Sequence, residues 1–373
     1  MRKKHLTLLG AILLFVVVAF LFGPGDIRQR SSRDAMQQAE RAAFGYDLPC
    51  DSMKLMHDEV TEWVDPGMEY AVRQLLKKPE GDILVSDLDH ITALELYCNS
   101  AEGTGSISVN AGRLKHLTGE PVTMTSVTYE LPTDIPWIQN TEDLRHFIDL
   151  QQLSIGDMSL APGIHMPPVS LSGLVYCHGL QVLTIGGLET ENQEALMLSK
   201  LAVLSLSDVP LDTMELLRQL PTLENLELYR YDLPDLSRLT DLHELKPLVL
   251  SGCKIGSLEP LAQLPALKNL KLDGRAMYPS LEPLAGTKLE FLSLNCESLP
   301  VGTEAYDHLD YAPLTQIPTL ICLDLANHRN VDAALCTAIL ETAPDLQYLR
   351  IARTPAAREL PEPDGLLFYG NAY

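Results

Sequence analysis

The sequence lacks the patterns that mark most enzymes and metal proteins. It has no Cys-x-x-Cys pair, no G-x-x-x-x-G-K-[ST] phosphate loop, no H-E-x-x-H zinc motif, no G-x-S-x-G nucleophile motif and no N-x-[ST] glycosylation site. One S-x-x-K match, Ser251 to Lys254, lies at the end of a predicted strand, whereas acylating serine chemistry needs both residues one turn apart on a helix. We therefore predict a protein that is not an enzyme and needs no cofactor or metal.

Basic residues are also scarce. The chain has 28 Lys and Arg against 50 Asp and Glu, which gives a net charge of -22. This charge repels nucleic acid and anionic lipid headgroups, so we expect no nucleic-acid partner.

The cysteines form no disulfide pattern, because their number is odd and their spacing is irregular. We predict that most of them are packed thiols. They are Cys50, Cys98, Cys177, Cys253, Cys296, Cys322 and Cys336.

The one long apolar run covers residues 6–22, directly after Arg2, Lys3, Lys4 and His5. Its 17 residues are long for a signal-peptide core and at the short limit for a membrane-spanning helix. The residues after it include no good cleavage site. We predict an uncleaved signal anchor, with the N-terminus in the cytoplasm and the rest of a single-pass membrane protein outside the cell. The alternative is secretion after cleavage.

The centre of the chain is a repeat. The pattern L-x-x-L-x-L recurs with a period of 22 residues, which predicts a solenoid in which each repeat packs on the next. Each repeat should form a short strand of a parallel sheet, followed by a second apolar stretch, which Pro260 predicts to be a 3₁₀ or irregular turn and not a long α-helix. The regular repeats begin at Leu201, Leu223, Leu245, Leu267 and Leu289.

Looser copies extend the array on both sides. We predict an eleventh, weaker repeat at Met124, and we expect the Gly/Ser-rich stretch from Gly103 to Gly112 to be a loop insertion. The other copies begin at Ile91, Leu150, Leu180, Leu320 and Leu346.

A helical cap precedes the repeats. Asp65 and Pro66 form an N-cap followed by proline, and the helix should end at Lys77 and Lys78. The predicted regions are a signal anchor (1–23), a juxtamembrane stalk (24–61), a helical cap (62–90), leucine-rich repeats (91–354) and a C-terminal tail (355–373).

The cap and the repeat period resemble the internalin-like class of bacterial leucine-rich repeat proteins. The resemblance rests on the lead-in from Asp65 to Ile91 and covers about residues 62–354. It implies a curved α/β solenoid with its parallel sheet on the concave face, binding of a protein or glycan, and no cofactor. The chain departs from the class where asparagine usually ties the turns together, because Cys253 and His328 occupy two of those positions.

The concave face is the predicted binding surface, because strand residues between the core leucines point outward. We expect Tyr229, Phe291, Tyr348 and Arg350 to be its anchors, since aromatic and arginine side chains dominate interface energies. The alternatives are a merely solvated face, or a structural envelope protein that self-associates through its convex side or its open C-terminal end. The candidate residues are Asn225, Glu227, Tyr229, Asn269, Lys271, Asp273, Phe291, Asn295, Asp324, Tyr348 and Arg350.

Overall fold

The computed structural model describes residues 59–99, 106–112, 124–130, 136–157, 168–198, 201–210, 213–273, 276–296, 306–360, 366 and 368–370. The predicted signal anchor and most of the stalk lie outside these residues. No helix in the described part is both long enough and apolar enough to cross a membrane. The chain divides between residues 223 and 224 into an N-terminal unit and a C-terminal unit, which are described separately.

The sheet of the N-terminal unit has a parallel part with one strand per repeat. Strands β1, β4, β6 and β8 pair in that order, and template leucines such as Leu94, Leu153 and Leu183 stand side by side in the core. The strands of this unit are β1 (Ala93–Asn99), β2 (Ser106–Gly112), β3 (Met124–Glu130), β4 (Gln152–Asp157), β5 (Val169–Ser170), β6 (Val182–Gly186), β7 (Thr190–Glu191) and β8 (Val203–Ser207).

The prediction of an eleventh repeat at Met124 was wrong, and so was the prediction of a loop up to Gly112. Residues of that stretch form β2, which pairs antiparallel with β1, and Met124 begins β3, which pairs antiparallel with β2. A repeat strand must run parallel to its neighbours, so β2 and β3 are an antiparallel extension of the repeat sheet.

The helical cap is tied to the 3₁₀ turn Glu142–His146 and the residues before it by two buried carboxylates. Helix α1 (Pro66–Leu76) begins where the sequence predicted, with the Asp65 side chain accepting a hydrogen bond from the Met68 N–H at 2.9 Å. The other Asp65 oxygen accepts from the N–H groups of Gln139 and Asn140. Asp143, which is fully buried, accepts from the N–H groups of Val64 and Asp65 at 2.8 and 2.7 Å.

The C-terminal unit is a parallel array. Its main sheet has the order β9-β11-β13-β14-β15-β16-β17, and β10 pairs with β12 separately. Leu226 pairs with Leu248, which pairs with Leu270, so the register follows the 22-residue period. The strands are β9 (Asn225–Tyr229), β10 (Asp232–Leu233), β11 (Pro247–Ser251), β12 (Lys254–Ile255), β13 (Asn269–Lys271), β14 (Phe291–Ser293), β15 (Cys322–Asp324), β16 (Tyr348–Arg350) and β17 (Phe368–Gly370).

Most repeats return through a 3₁₀ turn, which confirms the prediction made from Pro260. Pro260, Pro283 and Pro313 each lie in the first turn of such a segment, where their missing N–H leaves no hydrogen bond unmade. The 3₁₀ segments are Val85–Asp87, Glu142–His146, Ser172–Tyr176, Gln193–Leu198, Ser237–Asp241, Glu259–Gln263, Glu282–Leu284 and Ala312–Gln316. The remaining helices are α2 (Thr213–Arg218), α3 (Ala333–Thr342) and α4 (Ala356–Glu359).

A left-handed residue follows many of the repeat strands. It stands seven positions after the first template leucine, and only some of the residues there are glycine. Since this conformation costs a non-glycine residue roughly 1–2 kcal/mol, the turn is imposed by the strand pairing on either side of it. The residues are Gly187, Asp208, Arg230, Gly252, Asn327 and Arg353, with φ between 55° and 72°.

Three positions of the missing asparagine ladder, Cys253, His328 and Thr354, hold other hydrogen-bonding groups, whereas Leu188 and Val209 fill two more with buried apolar side chains. The Cys253 thiol donates to the Leu228 carbonyl at 3.4 Å, and His328 Nε2 bonds the Leu294 carbonyl at 2.5 Å. The Thr354 hydroxyl donates to the Ile351 carbonyl at 2.7 Å. These side chains therefore form hydrogen bonds to buried turn carbonyls in place of asparagine.

The cysteines in the described residues are buried, as expected of packed thiols. Burial raises the pKa of Cys177 and Cys336 to about 12 and that of Cys253 to about 11. Cys50 lies outside the described residues.

The C-terminal tail contributes a strand. Residues Phe368–Gly370 form β17, which pairs parallel with β16 and places Tyr348 opposite Phe368. The last repeat strand is therefore paired on both sides, which corrects the expectation that it leaves the array open.

Candidate ligand-binding face

The candidate site is the side of the C-terminal sheet that turns away from the leucine core. We call it the open face and define it by the outward positions of β9, β11, β13, β14, β15 and β16 and of the residues just after them. In β9, Leu226 and Leu228 are fully buried in the core, whereas Glu227 and Tyr229 alternate with them and are partly exposed.

Parallel pairing arranges these side chains in rows across the strands. The middle row runs Glu227, Val249, Lys271, Ser293, Asp324 and Arg350, each paired with the next in register. A second row runs Asn269, Phe291, Cys322 and Tyr348. Neighbouring members of a row are separated by about 4.8 Å, the spacing of adjacent strands.

The half of the open face nearest β9 holds the partly exposed polar groups. The Tyr229 hydroxyl donates to Glu227 Oε2 at 3.1 Å. Lys271 Nζ lies 3.2 Å from Asp273 Oδ2, and these side chains are 17% and 23% exposed. The other oxygen, Asp273 Oδ1, is buried and has no hydrogen-bond partner among the described residues. This oxygen is therefore not accessible to a ligand, and the accessible polar groups of this half are those of Glu227, Tyr229, Lys271 and the rest of the Asp273 side chain.

The half nearest β16 is buried and internally paired. Arg350 Nη1 lies 3.2 Å from Asp324 Oδ2, with both side chains almost wholly buried, and Asp324 Oδ1 accepts from the Ala326 N–H at 2.9 Å. Tyr348 is 1% exposed, its hydroxyl has no partner among the described residues, and burial raises its pKa to about 12. This half offers a ligand much less accessible surface than the half nearest β9.

The structure brings the eleven predicted residues together on one sheet, with different accessibility. Six are partly exposed: Glu227, Tyr229, Asn269, Lys271, Asp273 and Phe291. Five are buried: Asn225, Asn295, Asp324, Tyr348 and Arg350. Of the four expected anchors, Tyr229 and Phe291 are therefore accessible, and Tyr348 and Arg350 are not. The binding role of all eleven stays a prediction.

One residue beside the open face was not among the eleven predicted binding residues. Arg230 follows β9 directly, is exposed and has a left-handed backbone that places it at the rim of the open face. Arg230 can be located in the sequence because it stands seven residues after Leu223, a position that is a left-handed turn in several repeats.

The strand-per-repeat register, the buried template leucines and the 3₁₀ returns define a leucine-rich repeat fold in each unit. No family model matches the sequence, and no curated protein matches it. The chain is similar to the crystal structure of an internalin from Listeria monocytogenes, with 20% identity, coverage of 78% of this chain and 69% of the other, and a TM-score of 0.48. It is also similar to internalin C2 of that organism (17% identity, 82% and 92% coverage, TM-score 0.32) and to an LRR protein of Leptospira interrogans (19%, 59% and 65%, TM-score 0.36).

Proposed function

We propose that the protein is a non-enzymatic binding module that presents the open face of its C-terminal unit to a protein or glycan ligand. The observation that supports this most directly is the row geometry. Tyr229 and Phe291 lie partly exposed on strands β9 and β14, with Lys271 and Asp273 on the strand and turn between them. Aromatic side chains are enriched at the centres of interfaces, and the neighbouring polar groups can supply hydrogen bonds.

The proposed ligand contacts are Tyr229, Phe291 and the partly exposed pair of Lys271 and Asp273. A sugar ring or a flat peptide segment could stack on the aromatic rings while a hydroxyl or N–H group donates to Asp273. Partial burial favours such binding, because a side chain that is already held by neighbours loses less conformational freedom when the ligand arrives.

The test is capture of a ligand from a cell extract. It compares the full-length chain with the double variant Tyr229→Ala, Phe291→Ala. The matched control is Tyr176→Ala, which removes an aromatic ring that is 49% exposed on a 3₁₀ turn of the N-terminal unit. We expect capture by the wild type and the control and loss with the double variant, with unchanged circular dichroism for all three. Equal capture by the double variant would refute the open-face proposal.

Two further arms separate the ligand classes. Protease treatment of the extract removes a protein ligand and spares a glycan, and a glycan array measures carbohydrate binding directly. Binding that is lost after protease treatment, together with no signal on the glycan array, indicates a protein ligand.

We also propose that the module is held at the outer surface of a cell membrane by residues 1–23, with secretion after cleavage as the alternative. The support is the apolar run from residue 6 to 22 behind three basic residues. Protease added to intact cells should degrade the repeats, and the mass of the mature N-terminus should show no cleavage. Protected repeats would contradict the extracellular location.

A second candidate function is structural, through self-association at the cell envelope. Because the tail strand pairs with β16, the C-terminal end is a less favourable site for self-association than the sequence predicted.

A further inference from the structure

The N-terminal unit ends its sheet in a strand with one unpaired side. Among the described residues, β3 pairs with β2 and with no other strand, so it is the edge of the sheet. An edge strand presents a row of backbone N–H and C=O groups that can pair with another extended chain.

Strand β3 has little of the usual protection against such pairing. Its first six residues, Met124 to Tyr129, contain no charge and no proline, and the only charge is Glu130 at the end. All seven of its residues pair in unbroken register with β2, so no bulge twists the edge away.

Side-chain contacts hold this edge in place. On one face the Tyr129 ring packs edge-on against Tyr70 of helix α1, with ring centroids 5.3 Å apart. On the other face the hydroxyls of Thr128 and Ser108 are hydrogen-bonded at 3.0 Å. A strand held by such contacts loses less entropy than a free segment when a partner strand pairs with it.

We propose that β3 is a dimerisation edge, at which a second copy of this chain pairs antiparallel, β3 to β3, about a two-fold axis at Val127. This pairing places Val127 opposite Val127, Ser126 opposite Thr128, and Thr125 opposite Tyr129. These are β-branched, hydroxyl and aromatic pairs, which stabilise antiparallel strands. The interface is isologous, as in most protein dimers.

The charge distribution fits a second copy. A chain of net charge -22 resists self-association unless the contact itself is free of like charges. In the proposed register Glu130 lies opposite Met124, and the two Glu130 side chains lie about 20 Å apart, six residues at ~3.3 Å each. The centre of the contact therefore carries no charge.

The first test is a disulfide cross-link in the full-length chain, solubilised in non-ionic detergent. Opposed residues of an antiparallel pair have Cα atoms about 4.5–5.5 Å apart, which matches a disulfide. Val127→Cys should give a covalent species of twice 41.2 kDa under mild oxidation. Glu130→Cys and the wild type, which report other contacts and the native thiols, should give at most a trace of it.

The second test changes the edge without a cysteine. Ser126→Lys places two lysines at diagonal positions across the pair and should lower the solution mass from dimer to monomer, or weaken association at least tenfold. Ser126→Gln places an uncharged side chain of similar length at the same position and should leave the dimer intact. The proposal is overturned by cross-linking of Val127→Cys no greater than that of Glu130→Cys, by a monomeric wild type, or by a dimer that Ser126→Lys leaves unchanged. Because these variants lie in the N-terminal unit, the result is independent of ligand capture by the open face.

Discussion

Substitution of Asp143 by alanine should detach the helical cap from the first repeat. Asp143 is fully buried, and its two oxygens accept the N–H groups of Val64 and Asp65. A buried donor left without an acceptor costs roughly 1–3 kcal/mol, so two such donors cost roughly 2–6 kcal/mol. The side chain of Val64 is 47% exposed, and water can partly replace the lost acceptor there. We therefore expect a loss of about 2–4 kcal/mol.

The tryptophans make this loss measurable. The chain has two, Trp63 and Trp137, and both belong to the N-terminal unit. Urea unfolding followed by tryptophan emission therefore reports that unit, while circular dichroism at 218 nm follows the repeats of both. Asp143→Ala should shift the emission transition to lower urea.

The control for this experiment is Glu142→Ala, which removes a carboxylate from the neighbouring position of the same 3₁₀ turn. Its side chain accepts neither cap N–H group, so its unfolding free energy should change by less than about 0.5 kcal/mol. If the two variants unfold at the same urea concentration, the Asp143 hydrogen bonds do not hold the cap and the reasoning is refuted.

Three further predictions follow from the turns and the buried groups. Gly252→Ala, at φ 64°, should lower the unfolding free energy by about 1–2 kcal/mol, whereas Arg353→Gly, at φ 62°, should raise it by about 0.5–1 kcal/mol; melting temperatures that move the opposite way would contradict the strain argument. Burial lowers the pKa of His328 below its ordinary 6.5, so its contribution to stability is complete above pH 6.5 and is lost as pH falls toward the lowered value. The urea midpoint of the wild type should therefore fall more steeply below pH 6.5 than that of His328→Asn. If the two midpoints change in parallel with pH, His328 does not cause the pH dependence. In a Cys50→Ser variant the six remaining thiols, which are buried, should react with iodoacetamide only after unfolding, and fast labelling of the native protein would show that they are accessible.

The sequence predicted the repeat layer because its signal is local and regular. A leucine at every template position leaves one arrangement that buries them all, and Leu226, Leu248 and Leu270 do pair in that register. The cap helix was predictable for the same reason, since Asp65 and Pro66 determine its first turn whatever surrounds it.

The antiparallel hairpin could not be predicted in this way. Residues Ser106–Gly112 alternate polar and apolar side chains, and Val109 and Ala111 are buried, but the glycine and serine residues of the stretch favoured a loop. The antiparallel pairing of this strand with the edge of β1 is decided by the tertiary structure.

Accessibility of the candidate site was likewise beyond the sequence. Alternation gives the side of the sheet to which a residue points, and it assigned Tyr229 and Tyr348 to the same face. It does not give the packing above that face, where Tyr229 is partly exposed and Tyr348 is buried. The ion pair between Asp324 and Arg350 spans 26 positions of sequence, so its formation depends on the fold.

The strict 22-residue register of β9, β11 and β13 makes the C-terminal unit modular. Excision of residues 245–266 would join Glu244 to Leu267 and bring Leu226 opposite Leu270, with every template leucine still in the core. The ligand footprint would shorten by one strand spacing, about 4.8 Å, and Glu227 would become the neighbour of Lys271. Gain or loss of whole repeats can thus change the reach of the surface while each remaining strand keeps its contacts.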